Sequence, residues 1–159
     1  MATKATATNS TVTKGTAAKL VLRLAGVGLT AAMAAIHLRL WAEGYRYLDT
    51  IGPLFLVNGI VGILLAVALL VTPVRRLGPV AAVTALFTAG TLGALILSLT
   101  TGLFGLNESL DVELVRPTLY VETAGTAVLT VLAVATLLHR PRPERHPRPQ
   151  RRQVRHIPQ

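Results

Sequence analysis

The chain has 159 residues, a formal net charge of +9 and no cysteine. Because a thiolate is the reactive or metal-binding group in each case, this composition excludes thiol–disulfide redox chemistry, Cys-ligated zinc and iron–sulfur clusters. Hydrophobic residues make up 52% of the sequence and fall mainly into four long runs, which predict an integral membrane protein.

Residues 1–19, at the start of the chain, are rich in Thr, Ala and Lys and lack the compact apolar region of a cleaved signal peptide. This segment is predicted to be a disordered cytoplasmic tail. Four apolar runs follow, each close to the roughly 20 helical residues that cross a bilayer. They cover residues 20–40, 51–72, 77–99 and 117–138. The predicted fold is therefore all-α, a four-transmembrane-helix bundle over residues 20–138 with disordered N- and C-terminal tails.

Basic residues alternate between rich and poor along the segments that flank and connect the runs. Lysines precede the first run, Arg75 and Arg76 separate the second from the third, and seven arginines follow the fourth, whereas the other two connections carry more acidic than basic residues. The positive-inside rule then places both termini in the cytoplasm. Several arginines are expected to anchor in lipid headgroups: Arg75, Arg76, Arg140, Arg142 and Arg145.

The two connections that face outward in this topology combine apolar, aromatic and charged residues. The first contains Trp41, Arg46 and Asp49, which are predicted to make outer-loop contacts. Amphipathic segments of this kind can lie along a membrane surface. The loops would act either as a lid or as a docking face for a partner, and the sequence does not choose between these alternatives.

A polar cluster is predicted near the outer ends of the helices. Glu122 and Asn58 each lie five residues after a proline near the start of a run, and His37 is three residues from the outer end of the first run. Ionisable groups at this depth usually face the bundle interior or a wet cavity. The candidate polar site, extended by two further residues, comprises His37, Asn58, Ser98, Tyr120 and Glu122. It would be an outward-open or proton-responsive pocket, or His37 and Glu122 would simply pair and fix the helix register.

Conventional catalytic and metal-binding patterns do not occur in the sequence. Only His37 lies within a run, which argues against a haem held by two axial histidines, and the acidic residues show no repeated metal spacing. We therefore predict no catalytic residues, no metal and no cofactor. A membrane enzyme using Glu122 and His37 as acid and base is the weakest functional hypothesis.

The last segment, residues 139–159, consists mainly of Arg and Pro and is predicted to be a disordered cytoplasmic tail. Its charge favours attraction to anionic lipid headgroups of the bilayer. Nucleic-acid binding is disfavoured because no aromatic residue interleaves the arginines as a stacking platform.

Several stretches carry a family resemblance. His37-Leu-Arg-Leu-Trp41, Glu43-Gly-Tyr-Arg46, Thr50-Ile-Gly-Pro-Leu-Phe-Leu56 and Gly102-Leu-Phe-Gly-Leu-Asn-Glu-Ser109 resemble uncharacterised small four-span integral membrane proteins of actinobacteria. The resemblance covers the spans and outer loops, and it implies the fold and a bacterial cytoplasmic membrane but no activity. The sequence favours an accessory or structural subunit, with a membrane protein partner or a homodimer both open. The alternative is a small proton-responsive transporter or sensor.

Overall fold

The computed structural model describes residues 3–138, with side chains from Gly15 onward. This part of the chain forms four helices, α1 Thr3–Glu43, α2 Ile51–Val71, α3 Val74–Thr100 and α4 Val115–Leu138, with a short 3-10 turn at Tyr45–Tyr47. The backbone of α1 begins inside the segment predicted as an N-terminal tail. The predicted C-terminal tail, with Arg140, Arg142 and Arg145, lies outside the described residues.

The all-α, four-transmembrane-helix prediction is confirmed. Four segments are each long and apolar enough to cross a membrane: Gly15–Glu43, Ile51–Val71, Val74–Thr100 and Val115–Leu138. Large apolar side chains such as Val57, Leu64 and Val67 of α2 are about half exposed or more. A soluble protein of this size would bury such a surface, so these side chains face lipid. The protein is an integral membrane protein.

Helices α3 and α4 begin earlier than the sequence predicts. α3 includes the exposed Arg75 and Arg76 in its first turn. α4 begins at Val115, two residues before Pro117. Proline is tolerated in the first turn of a helix because its missing N–H would have no partner there. The predicted spans were too short because they stopped at charged residues and at a proline, whereas the helices continue through these residues.

Helix α1 is central in the packing. It has extensive contacts with α2 and α4, and α3 packs mainly on α4, whereas contacts between α2 and α3 are sparse. Glycines let the backbones approach closely: an added Cβ would lie 2.9 Å from Ala34 Cβ at Gly62, and 2.9 Å from Leu129 Cδ2 at Gly26. Because the bundle is tight on both sides of α1 and loose between α2 and α3, it leaves an opening between those two helices.

Arg23 of α1 caps the C-terminal end of α2. Its Nε donates to the Leu69 carbonyl oxygen at 2.8 Å, and its Nη2 donates to the carbonyl oxygens of Leu70 and Thr72, each at 2.7 Å. Carbonyls at a helix C-terminus lack intrahelical partners and carry partial negative charge, so a guanidinium satisfies both needs. This contact fixes the register of α1 against α2 at the end opposite the two long loops, the first over residues 44–50 and the second over residues 101–114.

Candidate functional site

A cavity of about 870 Å³ lies between α2 and α3, at the end of the bundle that carries the long loops. Its walls are mainly apolar and include Phe55 and Phe87. Leu54 and Leu86 line it and are also exposed, at 42% and 75% of their surface, so the cavity opens sideways between the two helices. A mostly apolar cavity with a few polar groups has the composition of a small-molecule binding site.

His37 and Glu122 face each other at this cavity. His37 of α1 is 6% exposed and Glu122 of α4 is 1% exposed. The His37 Nδ1 lies 3.0 Å from the Met33 carbonyl oxygen. Because a carbonyl can only accept, Nδ1 must carry a hydrogen, which leaves Nε2 directed toward Glu122. The distance from Nε2 to Glu122 Oε1 is 3.9 Å, too long for a direct hydrogen bond.

The Glu122 carboxyl group is buried without a hydrogen-bond partner. Neither of its oxygens accepts a hydrogen bond from any residue in the described part of the chain. The Thr91 hydroxyl, which also lines the cavity, lies near this carboxyl group, but by distance and angle it donates to the Thr88 carbonyl oxygen at 2.8 Å. An ionised carboxylate in such a position is costly unless a proton, a cation or a hydrogen-bond donor compensates it. The cavity beside Glu122 has room for such a group.

Aromatic rings cover the histidine on the loop side. The Phe55 ring centroid lies 5.1 Å from that of His37 and 4.6 Å from that of Tyr45, on which it stacks. The Tyr45 phenol donates a hydrogen bond to Glu108 of the second loop. Burial, together with the Glu108 carboxylate, raises the pKa of Tyr45, which keeps the phenol a neutral donor. Together these contacts form a stack that runs from His37 to the second loop.

The second loop is held against α3 by its backbone. The Glu108 amide donates to the Ser98 carbonyl oxygen at 3.1 Å, and Leu103 and Leu106 exchange two backbone hydrogen bonds of 2.8 Å each. Between them, Phe104 has φ of 50° and Gly105 has φ of 82°. Positive φ at both central residues matches a type I′ turn, which places Phe104 at the rim of the cavity.

An ion pair links the first helix to the second loop outside the cavity. The Arg39 Nε donates to Glu43 at 2.8 Å and its Nη2 donates to Glu113 at 3.2 Å. All three side chains are exposed. Exposed pairs contribute little stability, so this link adds little to the attachment of the loop.

Four of the five predicted polar-site residues line the cavity: His37, Asn58, Ser98 and Glu122. The Ser98 hydroxyl donates to the Leu106 carbonyl oxygen at 3.4 Å. The placement predicted for Tyr120 is wrong, since Tyr120 is 73% exposed and lies outside the cavity. It precedes Glu122 by two residues, and two helical residues span about 200°, so its side chain leaves the opposite face of α4.

The predicted outer-loop residues lie away from the cavity. Arg46 is exposed, and its Nη2 donates to the Tyr47 hydroxyl at 2.6 Å while its guanidinium lies 4.7 Å from the centroid of that ring. Asp49 is exposed beside a smaller crevice of about 290 Å³ between the two loops, and Trp41 is half-buried. Arg46 and Asp49 belong to the loop surface, whereas Trp41, predicted in the loop, lies in the last turn of α1; none of the three lines the cavity.

Of the residues that cover the site, Tyr45 and Glu108 lie in the loops that were predicted to form a lid or a docking face, but neither they nor Phe55 were predicted as site residues. Both loops contain aromatic and acidic residues, which is a signal that they can contact each other. The pairing of Tyr45 with Glu108 depends on how the loops fold back, and no periodic pattern records that.

Among the described residues, no group of three His, Cys, Asp or Glu side chains could hold a metal ion. Comparisons with protein-family models, with curated proteins and with solved structures give no match. The chemistry of the cavity therefore carries the functional argument.

Proposed function

We propose that this protein binds a small molecule that partitions into the membrane, and that it works as a small transporter or sensor with a proton-responsive site. The observation that supports this proposal is the buried Glu122 carboxyl group, which has no hydrogen-bond partner among the described residues and faces a cavity. A carboxyl group that served only packing would be expected to have its oxygens satisfied. In a binding site, a ligand can supply the partner that such an unpaired group lacks.

The proposed proton response uses His37 and Glu122 as a pair. With Nδ1 bonded to Met33, His37 can accept a proton at Nε2, and Glu122 can release one. The proton of the pair can thus reside either on His37 Nε2 or on the Glu122 carboxyl group. A ligand that contacts Glu122 changes where that proton is most stable, and binding is thereby coupled to pH.

Retention of the native ligand tests the proposal. The tagged full chain is purified from its native membrane in mild detergent, and extracted small molecules are identified by mass spectrometry. Two substitutions should cause loss of a specific compound: Glu122→Gln removes the ionisable group, and Gly93→Leu fills the cavity, since nothing lies within 4 Å of a Cβ at Gly93. Gly28→Leu is the matched control, because Gly28 also has open space but lies outside the cavity.

The expected result is a compound retained by the wild type and by Gly28→Leu and lost from the other two variants. Identical extracts from all four proteins would contradict a binding role for the cavity. Size-exclusion profiles show whether each variant is folded.

An accessory subunit of a larger membrane complex is the second candidate function. It is favoured by Tyr47 and Phe104, large aromatic residues on the two loops that are 75% and 67% exposed. A stoichiometric protein partner in the same purification would support this role. Loss of that partner on combined Tyr47→Ser and Phe104→Ser substitution would assign the loops as its docking face.

We further propose that the protein lies in a bacterial cytoplasmic membrane with both termini inside. The chain has no cysteine, so single cysteines report sidedness directly. A membrane-impermeant maleimide added to intact cells should label Ser109→Cys in the second loop and spare Arg76→Cys between α2 and α3. The reverse pattern would invert the proposed orientation.

A further inference from the structure

The charged side chains around the cavity are unevenly distributed. Glu108 and Glu122 line it, and none of the described lining residues is Lys or Arg. The three arginines at this end have partners elsewhere: Arg39 binds Glu43 and Glu113, Arg46 contacts Tyr47, and Arg116 binds Asp111. The cavity therefore offers carboxyl groups without a Lys or Arg partner in an apolar setting, where a charge interacts more strongly than in water.

The rings around the cavity also suit a positive charge. Tyr45, Phe55, Phe87 and Phe104 line it. The faces of aromatic rings attract cations, and this attraction is stronger where water is excluded. Large apolar groups of a ligand would contact the same rings and the leucines of α2 and α3.

The cavity is accessible sideways, from between two helices. Above His37, the Tyr45–Phe55 stack and the Tyr45–Glu108 hydrogen bond cover the loop side, where Phe104 also lines the cavity. Between α2 and α3, by contrast, contacts are sparse and the lining residues Leu54 and Leu86 are exposed. A ligand dissolved in the membrane reaches this opening without crossing the loops.

From these observations we infer that the cavity binds a lipophilic cation, a molecule with a bulky apolar body and one positive charge, which enters from the lipid between α2 and α3 and pairs with Glu122. This inference rests on the proposed function and names its ligand class. Glu122 supplies the counter-charge, and the aromatic rings enclose the apolar body.

When such a cation binds, the site releases one proton. Before binding, one proton is held by the His37–Glu122 pair; after binding, Glu122 is an ionised partner of the ligand, His37 is neutral, and the proton leaves to water. The other titratable groups that line the cavity are Glu108 and Tyr45, whereas α2 and α3 contribute Asn58, Thr91 and Ser98, which do not titrate. Affinity for the cation therefore increases with pH, by at most about tenfold for each pH unit.

Tetraphenylphosphonium is the probe, and tetraphenylborate is its anionic counterpart of the same shape. Binding of the radiolabelled cation to the full chain in lipid nanodiscs is measured between pH 5 and 8, with empty nanodiscs as the background. Glu122→Gln removes the counter-charge with little change in shape. Glu113→Gln is the control, because Glu113 is exposed and lies outside the cavity.

The expected result is saturable binding of one cation per chain that tightens with pH. Affinity falls at least tenfold and loses its pH dependence in Glu122→Gln, but is unchanged in Glu113→Gln. Excess tetraphenylborate does not compete. Equal binding of both ions, or unchanged binding by Glu122→Gln, would overturn the inference. If the cation does not bind while native protein still retains a compound that depends on Glu122, the ligand class is wrong and the proposed binding function stands.

Discussion

Tyr45 in the first loop donates a hydrogen bond from its phenol to the Glu108 carboxylate in the second loop. This contact joins two segments that are 63 residues apart in the chain. Because Tyr45 also stacks on Phe55, and Phe55 packs on His37, the contact connects the loop surface to the polar site. A continuous chain of side-chain contacts therefore links the loop surface to His37.

Removing the Tyr45 hydroxyl should loosen the second loop. In Tyr45→Phe the ring still stacks on Phe55, but Glu108 loses its donor, which should lower the free energy of unfolding by about 1–2 kcal/mol. Hydrogen exchange of the second-loop amides should accelerate. Tyr47→Phe is the control, since the exposed Tyr47 hydroxyl contacts only its neighbour Arg46 among the described residues. Equal effects of the two substitutions would contradict a role for the loop contact.

Strong alkali should break the same contact. The pKa of Tyr45 is raised by burial and by Glu108, so the folded state holds the phenol proton more tightly than the unfolded state does. The stability that this provides is present below the ordinary tyrosine pKa of about 10 and decreases as pH rises above it. An absorbance titration of tyrosinate should show one late-titrating tyrosine that is missing in Tyr45→Phe. A wild-type titration with no late component would disprove the prediction.

The contribution of Arg23 to stability should depend on the shape of its side chain and not only on its charge. Its guanidinium satisfies three carbonyls at the end of α2. Lysine keeps the charge but not the planar fork of donors, so Arg23→Lys should destabilise the bundle by about 2–3 kcal/mol. Arg75→Lys is the control at an exposed position near the same end, and it should be nearly neutral. Reversible unfolding in mixed micelles gives both values.

The fold was largely predictable because membrane helices leave a strong periodic and compositional signal. The positions of the spans follow from apolar length alone. The role of Arg23 was not predictable, because a basic residue near a helix end is read from sequence only as a mark of sidedness. Its partners are backbone carbonyls, which no residue type reveals.

The depth of the candidate site along the helices was predictable, but the set of residues that line it was not. His37, Asn58 and Glu122 share a layer because each lies a similar number of residues from the loop end of its helix. The prediction misplaced Tyr120 because depth along a helix does not specify the face on which a side chain lies. A residue two positions from Glu122 lies on nearly the opposite face of α4. The cavity depends on the sparse contact between α2 and α3, a property of tertiary packing that a single sequence does not record.

Close packing between α1 and α2 should make Gly62 intolerant of a methyl group. A Cβ there would lie 2.9 Å from Ala34 Cβ and 3.3 Å from Met33 Cε, so the helices must separate. Gly62→Ala should cost about 1–3 kcal/mol of unfolding free energy. Gly28→Ala introduces the same methyl group where nothing lies within 4 Å, and should be neutral or slightly stabilising. Equal stability of the two variants would contradict the packing.

Phe104 occupies a position where its residue type and its backbone conformation disagree. Its φ of 50° lies in the left-handed region, which costs a bulky residue roughly 1–2 kcal/mol and suits asparagine. Because the side chain is 67% exposed, little burial is lost on replacing it. Phe104→Asn should therefore raise the free energy of unfolding by about 0.5–1 kcal/mol.

A comparison with Phe104→Leu separates the backbone effect from the loss of the ring. Leucine also lacks the aromatic face but disfavours positive φ, so it should not stabilise the turn. Both variants should bind tetraphenylphosphonium more weakly than wild type, since each removes a ring from the rim of the cavity. Gain of stability only in Phe104→Asn, with weaker cation binding in both, would mean that the turn gives up stability to hold an aromatic ring at the opening. An asparagine variant no more stable than the leucine variant would show that the turn is not strained.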